Sequence, residues 1–125
     1  CTLPPTSKTE HLIDEEQFKC MKSTAYIINI SRAIIFNEEV LYSYLKDKKI
    51  AGAALDVFMD EFRLGYLPKD SPFWDLDNLI ITPHMAGAGD QWNYFSTNII
   101  MHNVQCFCEN RLDDMINIRD YDKGY

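Results

Sequence analysis

The chain has no uncharged apolar run close to the ~20 residues that a membrane-spanning helix needs, so no membrane partner is expected. It is short of basic residues: 12 Lys+Arg stand against 19 Asp+Glu, a formal net charge of −7. That deficit argues against nucleic acids and anionic lipid surfaces, which call for basic patches. No CxxC pair occurs. The four cysteines are Cys1, Cys20, Cys106 and Cys108, and the one-residue gap between the last two fits neither a redox motif nor a zinc knuckle. No metal site is expected. Two disulfides are possible in principle, but free thiols in a reducing, cytoplasmic compartment are the preferred reading. Internal repeats and low-complexity tracts are missing, and Gly87-Ala88-Gly89 does not complete a GxGxxG phosphate loop. The chain begins at Cys1 with no signal-like block after it, so a longer parent chain is expected.

What is present reads as one small globular domain. The 125 residues are 46% apolar and 25% charged, too apolar for native disorder. Three short apolar runs have strand length: Ala25 to Ile30, Ile50 to Val57, and Leu79 to Thr82. Helical signals lie between them. Asp14 can cap a short helix whose first turn holds Glu15 and Glu16, with Phe18 and Met21 turned inward. Asn37 can cap a second, in which Val40, Leu41, Tyr44 and Leu45 share one face. Residues 58–78 read as a long irregular connection. A turn at Gly87 to Asp90, with an acidic helix start, leads into a long helix carrying Trp92, Phe95, Ile99, Ile100, Val104 and Phe107. Trp92 and Phe95 are expected to anchor it to a core. Tyr26, Tyr42, Tyr44, Phe73 and Trp74 are expected in packing, His11 and His102 on surfaces or helices, and the residues after Asn110 in an extended tail.

Apolar strands alternating with helices predict an α/β fold with a parallel sheet covered on both faces. Ligands of such sheets bind beyond the carboxyl ends of the strands. The residues there are Ser31 and Arg32, then Asp56, then His84. An arginine fork matches the two oxygens of a carboxylate, an imidazole can pass a proton near neutral pH, and Asp56 can accept from a ligand amide or brace a loop. Asp60 or Glu61 could hold the imidazole in one tautomer, and position alone does not choose between them.

Several spaced blocks resemble the D-isomer-specific 2-hydroxyacid dehydrogenases: Asn29-Ile30-Ser31-Arg32-Ala33 with Asn37-Glu38-Glu39-Val40-Leu41, Ile50 to Glu61, Asp70 to Asn78, and Ile81 to Gly87, preceded by Leu3-Pro4-Pro5-Thr6. The resemblance implies part of a Rossmann-like, doubly wound parallel sheet with a long C-terminal helix. It implies NAD or NADP as cofactor, a small 2-oxo or D-2-hydroxy acid as substrate, and a homodimer in the full-length protein. It gives Arg32 the substrate carboxylate, His84 the proton, and Glu61 rather than Asp60 the pairing with His84. It places Leu3, Pro4, Thr6, Ile30, Ser31, Arg32, Asp56, His84 and Gly87 against the cofactor, with Asp56 on the nicotinamide carboxamide. Residues 1–90 would be the C-terminal part of the cofactor domain, and 91–125 a helix and tail returning toward a substrate domain.

Three departures stand out. Ala33 replaces a usual glycine, which would cost ~1 kcal/mol or more if φ were positive there. Phe62 replaces a usual proline, and Asn37 a usual aspartate. Without a glycine-rich loop the segment is expected to be inactive alone, and a half-sheet would bare a strand edge and an apolar face. The alternatives are a dinucleotide-sensing corepressor of the same fold and a catalytically silent paralogue. Met85 to Gly89, where the corepressors carry a tryptophan-containing run, favours an enzyme, and Glu61 disfavours a formate dehydrogenase, which has glutamine there. The ending, Tyr121 to Tyr125, resembles glyoxylate/hydroxypyruvate-type tails.

Overall fold

A computed structural model describes residues 1–122, Phe62 by its backbone alone. The last three residues of the tail resemblance therefore lie outside the described residues. The chain divides into two compact units, Cys1–Ala86 and Gly87–Tyr125.

The first unit is a three-stranded parallel sheet with helices between its strands. Strand β1 spans Tyr26–Asn29, β2 Gly52–Leu55 and β3 Leu79–Ile81, in spatial order β1-β2-β3. Helix α1 (Glu15–Lys19) precedes β1, and α2 (Glu38–Lys46) joins β1 to β2. Both start where cap chemistry directs. Asp14 accepts from the Glu15 amide while Gln17 reaches back to the Asp14 amide, and Asn37 accepts from the Val40 amide at 3.3 Å. Asn37 also donates to Asp14 at 3.0 Å, so one cap supports the other.

Strand alternation divides the sheet into two faces. Ile27, Ala53 and Leu79 form one cross-strand row and Asn29, Leu55 and Ile81 the next. These rows meet Phe18, Ile35, Leu41, Leu45 and Ile50 in one core. The opposite row, Ile28, Ala54 and Ile80, is bare. Ile28 is 58% exposed and Ile80 66%, and Tyr26 beside them is 75% exposed. Thus the expected half-sheet with a bare apolar face is present, whereas cover on both faces is not. Gly52 belongs to the β2 start for a steric reason, since a Cβ there would lie 2.6 Å from the Asn78 carbonyl oxygen.

Residues 58–78 hold more structure than expected. A single turn of helix, α3 (Glu61–Leu64), is closed by Gly65 at φ 75°, and a 3-10 turn spans Pro72–Asp75. Phe73 is buried there against Phe58 and Tyr42, but Trp74 is half exposed. Ala33 is buried in a 3-10 turn, Ala33–Ile35, and is not among the residues with positive φ. The feared penalty at that site therefore does not arise.

In the second unit, α4 spans Trp92–Cys108. Its first turn contains no acidic residue, because Asp90 precedes the Gln91 cap. Trp92 and Phe95 are exposed rather than anchored, and Cys106 is the buried residue of the helix. The following segment is not extended throughout. A 3-10 turn at Leu112–Asp114 folds it back onto α4, where Asn103 exchanges two hydrogen bonds with Ile116.

Candidate active site

In a parallel sheet, neighbouring strands lie ~5 Å apart and end on one edge. The register pairs Asn29 with Leu55 and Leu55 with Ile81, so the residues that follow these strands leave from the same edge. Arg32, Asp56 and His84 are therefore neighbours at successive strand exits, although 52 residues separate the first from the last.

The β3 exit is the most constrained. His84 adopts a left-handed backbone, φ 51°, a conformation that costs a non-glycine residue free energy unless its surroundings hold it. Asp56 supplies that hold. Its Oδ1 accepts from the Thr82 hydroxyl and from the Met85 amide at 2.9 Å, its Oδ2 accepts from the Ala86 amide at 2.8 Å, and its carbonyl accepts from the His84 amide at 3.0 Å. One buried aspartate thus grips the chain on both sides of the histidine. Burial pushes the Asp56 carboxyl upward, but the Thr82 hydroxyl and the two amides outweigh it and hold the group below its ordinary value.

The His84 ring is held from α3. Its Nδ1 is hydrogen-bonded to Glu61 Oε1, and Glu61 Oε2 accepts from the Phe58 amide at 3.3 Å. A carboxylate only accepts, so Nδ1 carries the proton of this bond and Nε2 is left for a ligand. The open choice between Asp60 and Glu61 is resolved by the helix turn. Asp60 instead pairs with Arg63 at 2.9 Å, one turn along.

The β1 exit is built differently. Asn29, 2% exposed, faces inward in register with Ile27. Its Oδ1 accepts from the Ser31 amide at 3.1 Å and hydroxyl at 3.0 Å, and its amide donates to the Arg32 carbonyl at 3.1 Å. The half-buried Arg32 donates through Nη1 to the Ser31 carbonyl at 2.7 Å. No hydrogen bond or ion pair joins its guanidinium to His84 or Glu61 among the described residues; Arg32 and His84 share only the sheet edge from which their loops leave.

The remaining sites expected from sequence are placed as follows. Leu3 is exposed and Thr6 half-buried in a loop tied by Thr9, whose hydroxyl donates to the Pro4 carbonyl at 2.7 Å. This loop starts beside the β1 exit, where the Ile30 amide donates to the Cys1 carbonyl at 3.4 Å. Gly87 belongs to the second unit, and a Cβ there would meet nothing within 4 Å.

Sequence reading passed over three contributors. Asn29 was visible as a lone polar residue at an inward strand position, which must be satisfied if buried. Thr82 was visible only as a motif residue. Glu38 accepts from the Met59 amide at 2.9 Å and so ties α2 to the loop that carries Glu61, a contact with no local sequence signal. Burial lifts the Glu38 carboxyl above its ordinary value, and the Met59 amide opposes this.

Comparison with known proteins identifies the family of the unit that carries this edge. Residues 1–86 match the family described as D-isomer specific 2-hydroxyacid dehydrogenase, NAD binding domain. A glyoxylate reductase of Korarchaeum cryptofilum is 37% identical over 105 residues, 84% of this chain and 30% of that protein. A D-3-phosphoglycerate dehydrogenase of Methanocaldococcus jannaschii is 39% identical over 103 residues, 82% of this chain and 19% of that protein. The crystal structure of a D-isomer specific 2-hydroxyacid dehydrogenase from Xanthobacter autotrophicus, in complex with NADPH and MES, superposes with a TM-score of 0.84. It is 30% identical, with 99% of this chain and 48% of that chain covered. The chain spans less than a third of the length of these two curated relatives.

Proposed function

The chain belongs to the D-isomer specific 2-hydroxyacid dehydrogenase family, and from that premise we propose that the protein carrying it is an oxidoreductase. It would move a hydride between NAD or NADP and a small 2-oxo or D-2-hydroxy acid. The observation that carries this reading is the Glu61–His84 hydrogen bond at the sheet edge shared with Arg32. The three relatives named bear reductase and dehydrogenase names, and none bears the name of a corepressor.

The donors and acceptors present fit a nicotinamide. Three donors occupy the Asp56 carboxylate, which leaves about one of its four lone-pair directions open for a carboxamide N–H. Ile30, Ser31, the Leu3-Pro4 and Thr6 loop and Gly87 complete the proposed cofactor contacts. A bound nicotinamide supplies or takes up the hydride. Arg32 offers a two-pronged fork to the substrate carboxylate and, with His84, positive charge to the carbonyl oxygen. In reduction, His84 Nε2 gives its proton to that oxygen as negative charge develops; in oxidation it takes the hydroxyl proton. Glu61 keeps the ring oriented in both directions, and Asp56 keeps the loop beneath it in place.

Residues 1–90 would then serve the cofactor domain, and 91–125 would return toward a substrate domain. Exposed Tyr94, Ile100, Met101 and Phe107 on α4 support its burial in a homodimer or against the rest of the protein. Cytoplasmic residence rests on the cysteine spacing. With no glycine-rich loop among them, these 125 residues by themselves are expected to reduce nothing.

The test is an assay of the whole protein. It should oxidise NADH or NADPH only when a 2-oxo acid is supplied, and form the D-2-hydroxy acid. Oxidation that ignores the acid, or an L product, overturns the proposal.

A further inference from the structure

We propose that Glu38, on α2, is a positioning residue: its carboxylate holds the loop that starts α3 and thereby fixes Glu61 where it meets the His84 ring. The inference rests on the oxidoreductase reading and adds to it a residue that sets the rate without touching substrate.

Helix α3 cannot hold Glu61 unaided. It is one turn of four residues, Glu61–Leu64, and a turn that short is not stable by itself in water. Its cap residue, Asp60, makes no side-chain cap bond and pairs with Arg63 instead. None of its side chains that the structure describes is buried. Beside it lies a cavity of about 200 Å³ that Phe58, Glu61, Gly65 and Leu67 help to line, so on that side packing offers no restraint.

What restrains the turn is its lead-in, where two carboxylates take two successive amides. The Phe58 amide donates to Glu61 Oε2 at 3.3 Å, and the Met59 amide to Glu38 Oε1 at 2.9 Å. The first bond is internal to the loop and moves with it. The second is anchored outside. Leu41 and Leu45 bury α2 in the core, and its Asn37 cap is bonded to Asp14 at 3.0 Å. A well-packed helix thus lends its rigidity to an unpacked turn.

The surroundings of Glu38 support this role. Glu39 beside it is exposed, but Glu38 is half-buried. No basic side chain pairs with it among the described residues, and Asp60 opposes its charge. A carboxylate in that setting serves by its reach to the Met59 amide rather than by its charge.

Two conservative substitutions in the whole protein separate reach from charge. Glu38→Asp keeps the charge and draws the acceptor back by one methylene. Glu38→Gln removes the charge and keeps an oxygen for the Met59 amide. A displacement of ~1 Å can cost 10²-fold in rate, so we expect Glu38→Asp to lower kcat for a 2-oxo acid roughly tenfold or more, with NADH and NADPH affinity unchanged in a fluorescence titration. Glu38→Gln should keep most of the kcat that Glu38→Asp loses. In a Glu61→Ala background Glu38→Asp should cost nothing further, because residues that act through one another are not additive. Full kcat in Glu38→Asp, an equal loss in Glu38→Gln, or a loss undiminished without Glu61 overturns the positioning role and leaves the oxidoreductase reading intact. A wild-type protein that turns over no 2-oxo acid overturns that reading instead, and the His84 tautomer then decides. In nitrogen NMR of histidine-labelled protein, with the signal assigned by His84→Ala, the neutral ring should be Nδ1–H in wild type and Glu38→Gln, and shift toward Nε2–H in Glu38→Asp and Glu61→Ala. No shift in Glu38→Asp overturns the proposal.

Discussion

The loops leaving β1 and β3 carry the two groups proposed to act on substrate, and they are held in different ways. At the β3 exit, side chains from two other segments grip the loop: Asp56 bonds residues on both sides of His84, and Glu61 bonds its ring. At the β1 exit, Asn29 shapes the turn from within, and the Arg32 guanidinium hydrogen-bonds, among the described residues, to its neighbour's carbonyl. Proton transfer needs its partners within hydrogen-bond reach and in line. A long cationic fork can close on a carboxylate from several starting positions. The difference in restraint therefore matches a difference in chemical role. On the proposed reading, the β3 exit would bear mainly on the proton-transfer step and the β1 exit on holding the acid.

The sharpest way to break that division is substitution of the two groups themselves. In the whole protein, His84→Ala should lower kcat by a factor on the order of 10²–10⁴, with cofactor binding nearly unchanged in a fluorescence titration. Arg32→Ala should raise KM for the 2-oxo acid and, because it removes positive charge from the carbonyl oxygen, also lower kcat, by less than His84→Ala does. Equal loss of turnover and cofactor binding in His84→Ala would remove it from the proton role.

The supports should divide in the same manner. Asp56→Ala strands the Thr82 hydroxyl and two amides, at about 1–3 kcal/mol for each one left buried and unpaired. It should lower both stability in urea unfolding and kcat. Asn29→Ala orphans the Ser31 donors at similar cost per group, but its kinetic effect should fall on KM. If Asn29→Ala lowers kcat and leaves KM alone, the two exits do not have separate roles.

Acid offers a milder probe. The Asp56 carboxyl lies below its ordinary value of 3.8 in the folded protein, so the unfolded chain binds its proton more readily. Its contribution is complete above that ordinary value and is lost as pH falls toward the folded one. Urea midpoints of wild type and Asp56→Asn should converge as pH is lowered from 6 to 3; parallel curves would show that the brace is not ionic. The smallest effect is expected at Glu38, whose carboxyl is raised by burial. Its share of stability is present below its ordinary value of 4.5 and lost as pH rises through the folded one. Glu38→Gln keeps an acceptor for the Met59 amide and should unfold slightly later than wild type at pH 7, with no such change at pH 4.

Much of this was legible without coordinates. Asp14 and Asn37 announced their helices because cap chemistry is local. The three apolar runs announced strands, and polar residues just after them pointed to one edge of the sheet. The bare Ile28 and Ile80 looked the same in sequence as Ile27 and Ile81, which face the core from adjacent rows, since all four are isoleucines in alternating strand positions. Trp92 and Phe95 likewise carried the composition of anchors and are exposed. Apolar character states a demand for cover, and only the packed structure shows whether the demand is met.

By itself, the amino-acid order determined where α1, α2 and the three strands lie, which residues can carry charge or a proton, and that Arg32, Asp56 and His84 follow strands. These properties depend on neighbours a few residues away. Tertiary structure alone decided that Asp56 is the clamp around His84 and that an apolar cavity opens beside them, and it supplied the contact by which Glu61, the residue the family resemblance favoured over Asp60, meets the imidazole. Each of those outcomes depends on contacts between residues more than twenty positions apart or on the direction of a helix turn, and hydrogen bonds of that kind exist only once the strands have set their register.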